Sequence, residues 1–173
     1  MDGRIALFLL LFTSSLTTHA ATPYKRSLSV KKNQYATDAV FTGGEAGRGA
    51  EILGVRRTYS GKAKIERVIV DLAEAGVKVH DRTPYFQVNV DSTSRRVILD
   101  VSQLRSSKVS EPQLRQLFAK SPLVKDASIT LDPEDKAATI VLETKQPVRV
   151  EVFQLKGKKK PGRVVLDLKP LKS

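Results

Sequence analysis

The sequence predicts an all-β protein with one short helix, folded as a β-sandwich of two symmetric, roughly four-stranded sheets from a duplicated unit. Two observations predict this fold. The order strand, turn, phrase, loop, strand, turn, phrase occurs twice, with one helical segment between the two rounds. The phrase itself is a strand-like run found as RVIVDL at 67–72, RVILDV at 96–101, RVVLDL at 163–168 and, more weakly, TIVLET at 139–144.

Alternation within the phrase separates two faces. Apolar residues at the second, fourth and sixth positions are expected to fill the core, with Arg and Asp on the opposite face. Because residues four apart on a strand lie about 13 Å apart, we expect this Arg and Asp to pair with neighbouring strands instead of with each other.

The same aspartates, Asp71, Asp100 and Asp167, allow a catalytic interpretation. Paired catalytic carboxylates must flank one cleft, and one of them must have a raised pKa. The sequence marks no such cleft, and it contains no Gly-x-Ser-x-Gly nucleophile elbow. We therefore predict that the protein is not an enzyme and has no catalytic residue.

The first half contains four predicted strands. The first, at about 51–59, places Leu53, Val55 and Tyr59 on one face. After a turn comes the first copy of the phrase. The third strand, at 85–90, is expected to form a hairpin with the second copy.

A single helix is predicted between the halves. Ser110 and Gln113 match a Ser-x-x-Gln capping box at its start. Leu114, Leu117 and Phe118 recur at helical spacing and form one apolar stripe, which is typical of a helix packed on a core.

The second half repeats the pattern, with strands at about 124–132 and 148–153, each followed by a copy of the phrase. Lysines 156 and 158–160 fall in the turn before the last copy. Such a run is typical of a solvated turn that protects a sheet edge. The alternative is that these lysines grip phosphates or carboxylates of an envelope polymer.

The first twenty residues resemble a secretory signal peptide, with Arg4, an apolar run at 5–12 and the small residue Ala20 at the expected cleavage site. The apolar run is too short to span a bilayer, although an uncleaved membrane anchor is the alternative. The predicted location is the periplasm or cell envelope, with membrane contact only through the transient signal peptide.

Residues 21–49 show no hydrophobic period and end in a Gly-rich cluster. Such sequence buries too little apolar surface to offset its ordering entropy, so we predict a flexible basic and Gly-rich tether. A phosphate-binding loop would need a preceding strand and a Gly-Lys-Ser/Thr ending, and both are missing. The predicted domain therefore covers 50–171.

Composition limits the classes of binding partner and the kinds of metal or cofactor site that we expect. The net charge of +12 favours anionic partners such as a cell-wall polymer, a membrane surface or nucleic acid. Aromatic residues are sparse and the signal peptide predicts export, so we do not expect nucleic acid. With no Cys, and only His80 left after cleavage, three metal ligands of the zinc-hydrolase type are missing, and we predict no metal and no cofactor.

Taken together, several segments resemble the AMIN domain family. They are EILGVR at 51–56, RVIVDL at 67–72, YFQVNV at 85–90, RVILDV at 96–101 and RVVLDLKP at 163–170, and the likeness covers about 50–171. The resemblance implies a non-catalytic β-sandwich that binds peptidoglycan and localises its protein in the cell envelope. Family members accompany N-acetylmuramoyl-L-alanine amidases and occur in pilus secretins, so the implied partners also include an amidase, a secretin or another envelope complex.

The candidate residues for peptidoglycan binding are the strand-borne arginines at the positions that resemble the family: Arg56, Arg57, Arg67, Arg96 and Arg163. Arginine and lysine are expected to face the carboxylates of peptide stems. The alternative function is a protein–protein adaptor of a pilus or secretion machine, which would use an exposed sheet edge for strand addition.

Overall fold

The computed structural model describes residues 23–26, 30–47, 49–77, 82–155 and 160–171, and the statements below refer to them. The bounds of the elements are β1 (Tyr24–Arg26), β2 (Asp38–Gly43), β3 (Ala50–Ser60), β4 (Ile65–Glu74), β5 (Phe86–Asp91), β6 (Arg96–Val101), β7 (Leu104–Ser107), α1 (Glu111–Phe118), β8 (Val124–Asp132), β9 (Ala137–Thr144), β10 (Val148–Leu155) and β11 (Gly162–Pro170).

These strands form a six-stranded sheet, in the order β1-β2-β5-β6-β9-β8, and a five-stranded sheet, in the order β10-β11-β4-β3-β7. The predicted all-β sandwich with one short helix is confirmed. The strand count differs from the prediction because β1, β2 and β7 extend sheets whose duplicated part has four strands each.

The duplication is visible in the topology. Each half contributes two hairpins, β3–β4 and β5–β6 from the first half and β8–β9 and β10–β11 from the second. Strand β4 of the first half corresponds to β9 of the second, and β6 corresponds to β11. The pair β4·β11 therefore corresponds to the pair β9·β6, and both pairs are antiparallel. The four copies of the phrase are therefore the central strands of the duplicated part, where both edges are paired.

The core lies between the two sheets and follows the predicted alternation. Val68, Val70 and Leu72 are fully buried, as are Val97 and Leu99 of the second copy. Burial of each such side chain contributes roughly 1.5–3 kcal/mol relative to its exposure. The aliphatic face of the phrase is thus the inner face of the sandwich.

The helix begins and packs as predicted. The backbone N–H of Ser110 donates to Gln113 Oε1 at 3.0 Å, which satisfies one free donor at the helix start. Leu114 and Phe118 are buried, and Leu117 packs against the core. The helix contacts β8 and β3, so it covers the side of the sandwich where these strands lie.

The tether predicted for 21–49 is wrong where the structure describes strand β2. Ala39 and Phe41 are buried in the core, and β2 pairs with β5 along its length. Upstream, Ala36 is buried and forms an antiparallel bridge with Val150. A six-residue strand whose apolar residues are the single run Ala39, Val40 and Phe41 shows little hydrophobic period, and here the open edge of β5 supplies the backbone partners that its sequence does not reveal.

A bulge changes the face of one predicted core residue. The register of β3 on β4 shifts between Ile52 and Gly54, which leaves Leu53 as the extra residue. Ile52 is fully buried, whereas Leu53 is only partly buried. The prediction that Leu53 shares the face of Val55 is therefore wrong, because strict alternation does not cross a bulge.

Some predictions concern residues outside the described part of the chain. The signal peptide at 1–20, His80 and lysines 156, 158 and 159 belong to this group. Within the described part, no helix has the length and apolarity needed to cross a bilayer.

Candidate basic groove

The structure separates the five predicted arginines. Arg56, Arg67 and Arg163 lie on the outer face of the five-stranded sheet, as their cross-strand neighbours show. Arg57 lies opposite buried Val68, on the inner face of that sheet, and Arg96 lies on the outer face of the other sheet. The predicted residues therefore do not form one site.

Four of these arginines are already neutralised by carboxylates of neighbouring strands. The shortest nitrogen–oxygen distances are 2.8 Å for Arg56–Asp71, 3.0 Å for Arg57–Glu66, 2.6 Å for Arg67–Asp167 and 3.3 Å for Arg96–Glu143. Among the described residues, Arg163 has no ion pair or hydrogen bond of its side chain. The prediction that phrase Arg and Asp pair across strands is confirmed for Arg67 and Asp167.

Arg57 helps to anchor the helix. Its guanidinium donates to Leu117 O at 3.1 Å and to Glu66 Oε1 at 3.0 Å. Glu66 is fully buried and also accepts hydrogen bonds from Ser121 Oγ and Leu123 N. The Glu66 carboxylate thus ties the end of α1 to β4, a structural role that the sequence did not indicate.

Asp167 is the centre of a covered charge cluster. It is fully buried, and it accepts two hydrogen bonds from Arg67, at 2.6 and 2.8 Å, and one from Lys31. Burial raises the pKa of its carboxyl, but the hydrogen bonds from Arg67 and Lys31 outweigh burial and hold this pKa below its ordinary 3.8.

A segment that we call the strap, residues 31–36, covers this part of the outer face. Lys32 N and Gln34 N donate to Glu151 Oε1 at 2.7 and 3.2 Å. Tyr35 packs beneath two cations, with Arg149 at 5.5 Å and Lys169 at 5.7 Å from its ring centroid. The strap therefore shields the neighbouring carboxylates Glu151 and Asp167 from water.

Beside the strap lies a groove of about 840 Å³ that we call the basic groove. It is built from the β3–β4 turn, the segment after α1, the β9–β10 connection and the ends of β10 and β11. Its cations are Lys62, Lys64, Arg149 and Lys169, and its exposed apolar side chains are Tyr59 and Leu171. Among the described residues, no carboxylate lines it.

Two of these cations, Arg149 and Lys169, lie directly opposite each other on neighbouring strands. Arg149 and Lys169 are cross-strand neighbours, an arrangement that costs free energy for like charges. The buried Nε of Arg149 has no hydrogen-bond partner in the described part of the chain. A bound anion would screen the repulsion between Arg149 and Lys169.

The groove was missed because its cations come from segments far apart in sequence. Lys62 and Lys64 lie in the turn between β3 and β4, and Arg149 and Lys169 lie on β10 and β11. No spacing rule joins them; the one available signal was that each is basic. Chemically, the arrangement can bind anions. The described residues contain no cluster of three His, Asp or Glu that could hold a metal.

Comparison of the chain with models of known protein families gave no match, and comparison with curated proteins also gave none.

Proposed function

We propose that this protein is an exported, non-enzymatic cell-envelope protein that binds peptidoglycan through the basic groove. The observation that carries the proposal is a contrast in ion pairing. Four of the five arginines predicted from the sequence have carboxylate partners, whereas the basic groove brings together four cations and no carboxylate of the described residues lines it. The signal-peptide pattern and the resemblance to AMIN domains support an envelope location and this polymer.

The chemistry of the polymer fits the groove. Peptide stems carry free carboxylates, for which Arg149 offers a planar donor set and Lys62, Lys64 and Lys169 offer mobile point charges. Tyr59 adds an amphipathic ring at the rim. Contacts of this kind are weakened by salt, so binding should be strongest at low ionic strength.

Arg163 remains a second candidate contact. It lies on the outer face of β11, at the end remote from Lys169, and it has no described partner. The paired arginines Arg56, Arg57, Arg67 and Arg96 would first have to give up an intramolecular carboxylate, which makes them weaker candidates.

The test is retention of the full chain on purified sacculi at low salt. The variant K62Q/K64Q/K169Q removes three groove charges, and K108Q/K120Q/K125Q removes three exposed charges elsewhere. We expect the groove variant to bind at least about tenfold more weakly, the equivalent of one charge-assisted hydrogen bond. The control should change binding less than about twofold.

Two outcomes contradict the proposal in different ways. No retention of the wild-type protein would remove peptidoglycan as the ligand. Equal weakening in both triple variants would show that net charge, not the groove, attracts the polymer.

A further inference from the structure

We propose that the outer edge of β8 is a docking site for an extended segment of a partner protein whose residues alternate between apolar and basic. The site lies in the six-stranded sheet and does not depend on peptidoglycan binding by the basic groove. It gives a specific place and chemistry to the adaptor function expected from the sequence.

Backbone geometry shows which groups of β8 face outward. Thr144 N–H of β9 donates to Arg95 O, on the β6 side, at 2.8 Å. In an antiparallel sheet successive residues direct their backbone groups to opposite sides, so odd-numbered residues of β9 face β8. Their partners in β8 are even-numbered, from Asp126 to Asp132, which leaves Ala127, Ile129 and Leu131 with outward backbone groups.

These outward groups form an edge that is open beyond the Asp126 end of β8, where Arg115 of α1 approaches Asp126 to 3.5 Å. Asp126 Oδ1 accepts the N–H of Ala127 at 2.9 Å. For Ile129 and Leu131, no backbone partner exists beyond β9 in the described part of the chain. An unpaired row of this kind is a template for another strand.

Comparison of the two halves shows that outer strands of this sandwich accept an added strand. Strand β3 occupies the place in the first half that β8 occupies in the second. The chain adds β7 beside β3, in parallel over Ala50–Ile52, and Lys108 N then donates to Ile52 O at 2.8 Å. Likewise β5 receives β2. Two of the four outer strands of the duplicated part are therefore extended by strands of this chain, whereas β8 has no such neighbour among the described residues.

One face of an added strand would meet a groove that is partly apolar. This groove of about 460 Å³ lies between β7 and the β8–β9 hairpin, and its wall contains Leu104, Leu131 and Pro133 together with the cations Arg105 and Lys136. Leu131 is 47% exposed, whereas Ala127 and Ile129 on the same face are 1% and 7% exposed. An apolar side chain of the partner would cover Leu131.

The other face selects basic residues. The side chains on the outer side of β8 are Asp126, Ser128, Thr130 and Asp132, and Arg115 of α1 lies 3.5 Å from Asp126. Asp126 also begins a row across the sheet, in register with Glu143, Arg96, Asp91 and Asp38, in which four of five residues are acidic. Lysine or arginine on the added strand would complement this row.

A second copy of this chain is a poorer occupant. Antiparallel pairing of β8 with its own copy would put Asp126 and Asp132 of both copies on one face with no basic partner on either strand. A basic and apolar partner segment avoids this repulsion.

The probe is a blocked octapeptide of alternating lysine and valine, titrated into the full chain and followed by amide NMR and hydrogen exchange. We expect the amides of Ile129 and Leu131 to shift and become protected. The same peptide with glutamate for lysine, or with alternate backbone amides methylated, should not bind. L131K should weaken binding by about tenfold or more, since it removes an apolar contact and repels the peptide.

Y24K is the matched control, because Tyr24 is an exposed residue on the opposite edge strand of the same sheet. L131P gives a second variant, which removes the outward N–H together with the Leu131 side chain but no hydrogen bond to β9. Equal binding by L131K and Y24K, or full binding of the methylated peptide, would overturn the proposal. Protection of Ile129 that depends on protein concentration without peptide would assign the edge to a second copy and also overturn it.

Discussion

The two central strand pairs of the sandwich carry the same phrase in the same antiparallel arrangement, yet their charges lie in different surroundings. In β4·β11, Asp167 is fully buried and binds Arg67 and Lys31 under the strap. In β6·β9, Arg96 and Glu143 approach to 3.3 Å with side chains that are 54% and 40% exposed. Of the segments that the structure describes, one covers the first pair and none covers the second.

This difference teaches that a repeated motif does not imply a repeated energetic role. An exposed ion pair contributes about 0–1 kcal/mol, because water solvates the separated charges almost as well. A covered carboxylate that loses its partners remains desolvated, so its partners matter much more. The strap, which lies outside the duplicated units, creates this asymmetry.

The largest expected effect is from Asp167→Ala. We expect the free energy of unfolding to fall by about 2–4 kcal/mol, somewhat below the usual cost of breaking a buried pair, since Arg67 and Lys31 can reach water. Urea denaturation of the wild type and of this variant measures the loss in the free energy of unfolding. A loss under about 1 kcal/mol would mean that the covered and exposed pairs are equivalent after all.

The cluster around Asp167 also predicts a contribution to the free energy of unfolding that is lost in acid. The pKa of Asp167 is lowered on folding, so its contribution is present above the ordinary value of 3.8 and is lost as the pH falls through the lower, folded value. The stability difference between wild type and Asp167→Asn should therefore shrink as the pH falls below about 4. Denaturation curves at several pH values test this, and a difference that grows on acidification would contradict it.

Lys31→Met should have an intermediate effect. It removes one of the two cations on Asp167 but leaves Arg67 in place, so we expect a loss of about 1–2 kcal/mol. Because Lys31 pins the strap, the amides of Lys32 and Gln34, which donate to Glu151, should exchange faster with solvent. Unchanged exchange at both amides would show that the strap is held without Lys31.

The smallest effect is expected from Glu143→Gln. Its partner Arg96 is solvent-exposed, and the substitution keeps the size of the side chain, so the free energy of unfolding should change by less than about 1 kcal/mol. Thermal unfolding beside Asp167→Asn gives the direct comparison. A loss as large as that of Asp167→Asn would remove the distinction between the two strand pairs.

The strands, the helix and the cross-strand role of the charges were predictable because they depend on local patterns. A period of two residues, turn residues between runs and the Ser110 capping box each act over a few neighbours. The strand β8, for example, was predicted at 124–132 and extends over Val124–Asp132. Prediction failed at Leu53, where a bulge breaks the period, and at β2, whose short strand depends on the edge of β5.

By itself, the sequence determined the duplicated sandwich, because repeated alternation specifies which side of each strand must leave water. Only the tertiary structure decided which charges are free. Arg67 is paired because β11 places Asp167 beside it, whereas Lys64 and Arg149, far apart in the chain, meet at one groove that no described carboxylate lines. Coulomb interactions depend on distance in space and on exclusion of water, and neither can be read from positions along a chain.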